Sequence, residues 1–336
     1  MPISSAAPDT RDDLAAYLRW LAERAETIVV DGSPSVIFAA HSAMWADAID
    51  AGLRHIAPAA DLATEMGKVG AVLTGLRLSS HARVIIADDD VRYDEAALDR
   101  LAAALDSGDV VRPQNYFDPL PWHACWDTGR MLVNRVTGGD WPGTLAVRRS
   151  VLAGGYDGRA LFENLELVRT VVAAGGREVL LDDLFVARRP PTSRHFWSQR
   201  VRQAYDELAR PGRLAWQLAL LPAVIVCVAT GRWRALATGA AATALAAEMG
   251  RRRHGGTRVF PARASLFAPA WLVERAVCSW LAVGALAVLG GVPYRGRVLR
   301  HAATPLRVLQ ARHSARRGNE LRRERHDPHG GGDRSA

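Results

Sequence analysis

From residue 12 to residue 105 the sequence alternates between apolar residues at helical spacing and short apolar runs that close on carboxylates. "DDLAAYLRWLAERAE" (12–26) sets apolar residues along one helical face, behind acidic residues in its first turn, as a helix start favours. "TIVV" (27–30) reads as a short buried strand and ends in the turn signal "DGSP". The spacing predicts a second helix over residues 49–55 and another opening near Gly67 in "EMGKVGAVLTGLRLS". "ARVIIAD" is the next strand and "DEAALDRLAAAL" the amphipathic helix after it. Such alternation confines the chain to an α/β fold with a mainly parallel sheet and helices on its faces. Ligands of these sheets gather at the carboxyl ends of strands. Asp31 and the run Asp88-Asp89-Asp90 both fall at such ends.

Three successive carboxylates repel one another, and burial makes each harder to ionise. Something positive is therefore expected beside them: a basic side chain, a helix N-terminus or a metal ion. The net charge of +8, from 43 basic and 35 acidic residues, does not supply it evenly, because the excess lies after Arg295. Cys125, Cys227 and Cys278 lie far apart and match neither a zinc pattern nor a CxxC pair, which fits a reducing compartment. "MPISSAAPDTRDD" has no apolar stretch, so no cleaved secretory signal is expected from it.

The middle of the chain changes character. Residues 112–130, "RPQNYFDPLPWHACWDTGR", are rich in proline, aromatics and polar groups and show no period, which predicts a long binding loop or irregular wall. "GTLAVRRSVLAGGYDG" predicts a strand and a helical turn, and "ENLELVRTVVAAGG" a helix that stops at glycines. Three apolar stretches follow, over residues 214–231, 235–249 and 266–291, the last interrupted by Glu274 and Arg275. A bilayer span needs roughly 20 apolar residues. The clustering of these stretches, flanked by "RWR", "GRRRHGG" and a basic tail, predicts attachment to the cell membrane. Two spans and one interfacial helix would leave both the α/β domain and the tail on the cytoplasmic side. The tail is expected to be largely disordered and suited to anionic head groups. Nucleic-acid binding gains no support, because the basic residues concentrate beside apolar segments.

The order "VVDGS", "GK", "ADDD", "GTLAVRRSVLAGGYD", "ENLEL", "QRVRQ", ahead of apolar helices, resembles family 2 of the glycosyltransferases in its membrane-associated bacterial form. The resemblance covers residues 27–203 and implies a GT-A fold, with a catalytic domain over residues 1–206. Membrane-associated helices would then occupy 207–294 and the basic tail 295–336. It implies transfer of a sugar from a nucleotide-diphosphate donor to a lipid-linked or envelope-glycan acceptor, with inversion and with Mg2+ or Mn2+. Hard oxygen ligands suit either ion as a Lewis acid at the departing diphosphate. Carried over position by position, Asp88 faces the donor and Asp90 ligates the metal with it. Asp31 contacts the nucleotide base, Lys68 neighbours the diphosphate, and Gln199 and Arg202 lie near acceptor and diphosphate.

The departures are specific. The family's Glu-Asp is here Glu163-Asn164, and asparagine cannot take a proton. Glu163 is therefore the candidate base for the acceptor hydroxyl, with Glu166 second. Gln203 stands where the family has a tryptophan, so Trp197 or the aromatics of residues 115–126 are candidate sugar platforms. "MPISSAAPDT" offers only "PIS" where the family has its first strand. These changes define the competing expectation, a catalytically inactive membrane scaffold or binding protein on the same fold. A nucleotidyltransferase would share the acidic metal site but would leave "QRVRQ" unexplained.

Overall fold

The computed structural model describes residues 1–5, 12–294 and 296–326. The first sheet is short and wholly parallel, in the order β1 (Pro2–Ile3), β2 (Ile28–Asp31), β3 (Arg54–Ile56). "PIS" does pair as a strand, Pro2 against Val30 and Ile3 against Asp31. Between these strands lie α1 (Asp12–Ala22), α2 (Ser35–Met44) and α3 (Ala46–Asp50). Residues 49–55, expected as one helix, instead end α3 and open β3. Gly52, at φ 104°, permits the break, a backbone region open mainly to glycine.

After α4 (Gly67–Leu78) the second sheet begins, ordered β4 (Arg83–Ala87), β7 (Thr144–Arg148), β6 (Val110–Phe117), β8 (Glu178–Arg188), β5 (Val91–Arg92). Only β6 and β8 run parallel in it; the β4–β7, β6–β7 and β5–β8 pairs are antiparallel. The second sheet is thus mixed where a mainly parallel one was expected, because β7 returns between β4 and β6. Helix α5 (Glu95–Ala104) starts where the Asp94 carboxylate accepts a hydrogen bond from Ala97 N–H at 2.7 Å, an N-cap. One core packs α1, α3 and α5 on the sheets through Leu14, Leu18, Val29, Trp45, Leu101 and Val111. The opposite face buries Val72, Leu76, Ile86, Leu145, Leu167 and Val171, the last two from α7 (Glu163–Ala173).

Residues 112–130 are not a loop. They supply most of β6 and the first turns of α6 (Trp122–Arg135). The strand is buried along nearly its whole length, and Pro113 sits where the β6–β8 register shifts, between Arg112 and Gln114. Proline has no N–H to give the ladder, so an irregularity is where it belongs. The polar residues of α6 broke the expected period because several face a cavity rather than water.

Beyond α8 (Ser193–Ser198) and α9 (Arg200–Tyr205) run α10 (Pro211–Ala229), α11 (Trp233–Arg252) and α12 (Ala268–Leu289). Two segments are long and apolar enough to cross a membrane, 211–229 with mean hydropathy 1.7 and 262–289 with 1.8. They differ in setting: 6 % of the first window is buried and 28 % of the second. Helix α12 lies along the α/β domain, turning Trp271, Ala276, Ser279 and Ala282 inward and Val273, Val277, Trp280 and Leu281 outward. Small residues allow this docking. A Cβ on Gly129 of α6 would come within 2.8 Å of Ala268 N, and one on Gly250 of α11 within 1.9 Å of Leu132 O. A hairpin of β9 (Val292–Tyr294) and β10 (Arg297–Leu299) follows. Part of the stretch expected to be disordered is ordered: α13 (Leu306–His326) is a helix, and it packs against α7. Positions 327–336 of the expected tail lie outside the described residues.

Candidate active site

A cavity of about 420 Å³ opens at the ends of β4 and β8, under α6, α7, α9 and α12. Lys68, Asp88, Asp89, Asp90, Glu163, Gln199 and Arg202 all line it. These residues come from four separate stretches of sequence. Asp31 and Glu166 do not reach it.

Lys68, at the start of α4, joins two of the carboxylates. Its Nζ lies 2.6 Å from Asp88 Oδ1 and 2.5 Å from Glu163 Oε1. Burial alone would lower the Lys68 ammonium, but Asp88 and Glu163 outweigh it and hold it well above the usual lysine range. Across the aspartate run stands Arg188, the last residue of β8. Its guanidinium donates to Asp90 with Nε–O distances of 3.1 and 3.0 Å and an Nη2–O distance of 2.6 Å, and it lies 3.7 Å from Asp88 Oδ2. Within the chain, then, fixed cations stand against Asp88 and Asp90. Gly143 leaves room for this: a Cβ there would meet Asp88 Oδ2 at 2.8 Å and Arg188 Cζ at 2.9 Å.

Their effect on the two is unequal. Burial would raise the Asp88 carboxyl, yet Lys68 and Arg188 together hold it below its ordinary value. Burial raises Asp90, Arg188 opposes that, and Asp88 and Asp89 push it higher again, leaving it above its ordinary value. Asp90 therefore stays costly to ionise with Arg188 in place, chiefly because it is buried. The donors of the aspartate run are hard oxygens opening on a cavity, the pattern of a Mg2+ or Mn2+ ion held by one or two carboxylates and completed by phosphate oxygens. The donor set fits such an ion at Asp88 and Asp90.

Arg202 donates to Gln199 Oε1 at 2.7 Å and lies over the Tyr294 ring at 5.5 Å. It is in electrostatic reach of Asp88, just past β4, and of Asp206, just past α9. Burial pushes Asp206 up to about 7, against Arg202, and its Oδ1 has no hydrogen-bond partner. Asn164, at the position where the family places an aspartate, donates to Pro142 O at 2.9 Å and so braces the cavity wall.

Glu166 is fully buried and accepts from Thr304 N–H at 2.5 Å; it fastens the chain after β10 to α7. Asp31 is 1 % exposed. Its Oδ2 lies 2.6 Å from His41 Nδ1 and 3.1 Å from His55 Nε2, and its Oδ1 accepts from Ser33 N–H at 2.9 Å. Burial would raise this carboxyl, but His55, His41 and Ser33 hold it below its ordinary value. The ligand atoms of Asp31, His41 and His55 lie within 4.8 Å of one another, and hydrogen bonds account for that convergence. Trp197, a candidate sugar platform, is 44 % exposed; it meets Trp126 edge to face and Trp122 at a tilt and does not line the cavity. Phe117, from the expected loop aromatics, lines the cavity, as do Trp141 and Phe162, whose rings meet edge to face at 5.2 Å.

Sequence reading missed Arg188, Asp206 and Arg275. Arg188 carried a usable signal, since it closes the apolar run "EVLLDDLFVAR" at a strand's carboxyl end. The other two carried none.

No protein-family model matches the chain, and no curated protein does. Among solved structures it is similar to a mannosyltransferase from Pyrobaculum calidifontis in complex with GDP-Man and Mn2+. That likeness has 19 % identity over 83 % of this chain and 86 % of the other, with a TM-score of 0.48. It is also similar to glucosyl-3-phosphoglycerate synthase from Mycobacterium tuberculosis, at 16 % identity over 58 % of this chain and 73 % of the other, TM-score 0.37. A further mycobacterial protein matches at 17 % identity over 58 % and 68 %, TM-score 0.39. Each is a partial likeness of shape at low identity.

Proposed function

We propose that this chain is a membrane-associated, metal-assisted glycosyltransferase that moves a sugar, with inversion, from a nucleotide-diphosphate sugar to a lipid-linked or envelope-glycan acceptor. The observation that carries the reading is the convergence of Lys68, Asp88, Asp90, Glu163, Gln199 and Arg202 on one cavity. Dispersed motif residues need not meet; a surface lysine or an acidic turn would have left them scattered.

In this reading Asp88 and Asp90 hold the divalent ion. When bound, the ion supplies Lewis-acid stabilisation of the charge that grows on the leaving diphosphate. Arg202 faces the same charge from α9. Lys68 bridges Asp88 and Glu163 and fixes the two carboxylates relative to each other. Glu163 takes the acceptor hydroxyl's proton as its oxygen attacks the anomeric carbon. The aromatic edge of Trp141 and Phe162 offers the apolar face on which a sugar ring sits. The exposed apolar side of α10 (Trp216, Ile225, Val226 and Val228) is the membrane attachment, and α12 lies at the interface with its inner side on the α/β domain. The α/β domain works at the cytoplasmic face of the cell membrane.

The test is a screen of nucleotide-diphosphate sugars with Mn2+ and membrane extract as acceptor, the product's anomeric configuration being read by NMR. Transfer with inverted configuration is expected. Transfer with retention would remove the role given to Glu163, and no turnover or binding of any donor would favour the scaffold.

A further inference from the structure

Most arginines around the cavity are matched by carboxylates. Arg188 pairs with Asp90, Arg200 with Asp127 at 3.1 Å, and Arg210 with Glu207 at 2.9 Å. Arg275 is different. It projects from the inner side of α12, is 2 % exposed, and lines the cavity. Its Nε has no hydrogen-bond partner. Among the described residues no carboxylate oxygen comes within ion-pair distance of its guanidinium, whose carbon lies 5.9 Å from the Trp271 ring. An unpaired buried charge is costly, and a chain keeps one where a ligand completes it.

Its position separates it from the donor machinery. Asp88 is in electrostatic reach of Lys68, Arg188 and Arg202. Arg275 instead has Glu274 beside it on α12 and faces Asp206 and Glu207 on the stretch between α9 and α10, none of them within ion-pair distance. Arg202 is in electrostatic reach of both Asp88 and Asp206. The outer side of the same helix exposes Val273 at 51 % and Leu281 at 54 %, so a ligand held at Arg275 sits one helix away from an apolar surface.

We propose that Arg275 binds a phosphate group carried by the acceptor, giving the site a second anion position beyond the donor diphosphate. The proposal rests on the glycosyl-transfer reading for the word acceptor, but the anion site stands on its own geometry. A guanidinium fork matches phosphate oxygens in pairs, and Arg275, with its Nε unpartnered, lines the cavity.

The test is calorimetric binding to the full chain in mild detergent, for wild type, Arg275→Gln and Arg275→Lys. The probes are dodecyl phosphate, dodecanol and glycerol phosphate, with nucleotide-diphosphate sugars measured on the same samples. Wild type is expected to bind a phosphate probe, Arg275→Gln to weaken that binding about tenfold or more, and Arg275→Lys to recover part of it. Preference for dodecyl phosphate identifies a lipid phosphate, and preference for glycerol phosphate a soluble one. Donor binding is expected to be unchanged in Arg275→Gln, and its melting temperature equal to or above that of wild type, since an unpaired charge is removed. Equal binding of dodecyl phosphate and dodecanol, or phosphate binding unaffected by Arg275→Gln, overturns the proposal, as does a lowered melting temperature with phosphate binding intact. Donor binding without any phosphate binding sinks the anion site alone. Phosphate binding at Arg275 without any donor binding sinks the transferase reading alone.

Discussion

Asp88→Asn is expected to lower kcat/KM for sugar transfer by about a hundredfold to a thousandfold, the effect of removing one charge-stabilising group from a closed site. Asp88 lies against Lys68 at 2.6 Å and near Arg188 at 3.7 Å, so it links the lysine of α4 to the aspartate run. The fold should survive the change. Lys68 keeps Glu163 as a partner and Arg188 keeps Asp90, so neither cation is left buried alone. Steady-state kinetics and circular dichroism on one preparation check this. A variant that folds as wild type and turns over within a few-fold of it would show that Asp88 does not face the reacting diphosphate.

The second large effect separates two glutamates three residues apart on α7. Glu163→Gln is expected to reduce transfer by about a hundredfold to ten-thousandfold, the usual contribution of a positioned base, with donor affinity changed only a few-fold. Glu166→Ala should leave turnover intact and cost about 1–3 kcal/mol of stability, because it leaves the buried Thr304 N–H without its acceptor. Single-turnover kinetics and denaturant unfolding of both variants read the two effects apart. Full activity in Glu163→Gln with none in Glu166→Ala would reverse the assignment, although Glu166 does not line the cavity.

Much of this candidate site was legible in the sequence because its residues fall in short motifs whose order resembles a known family. Lys68, Asp88, Asp90, Glu163, Gln199 and Arg202 were found in that way, and they share one cavity. Asp31 followed the same strand-end rule yet lies sealed between His41 and His55. Those histidines stand 10 and 24 residues away, and nothing in a local window announces that they will close over it. Arg188 meets Asp90 across 98 residues, so the cation that stands against it could not be read beside it. The fold failed to read where polar residues serve the cavity. Residues 112–130 have the composition of a loop because Gln114, Asn115, His123 and Asp127 are buried polar groups, and that polarity hid a central strand and a helix. Helix α12 misled in the opposite sense. Its hydropathy reads as a span, but on its inner side Arg275 lines the cavity and Ser279 donates to Gln217 of α10.

The central claim is that Asp88 and Asp90 hold a divalent ion together with a donor diphosphate, even though Arg188 holds Asp90 in the chain alone. Calorimetric titration of a nucleotide-diphosphate sugar, with and without Mn2+, into wild type and Asp90→Asn tests it most directly. Donor binding that requires Mn2+ in wild type and weakens about tenfold or more in Asp90→Asn is the result expected for a lost charged ligand. Donor binding that is the same with and without Mn2+, and the same in both proteins, would contradict it.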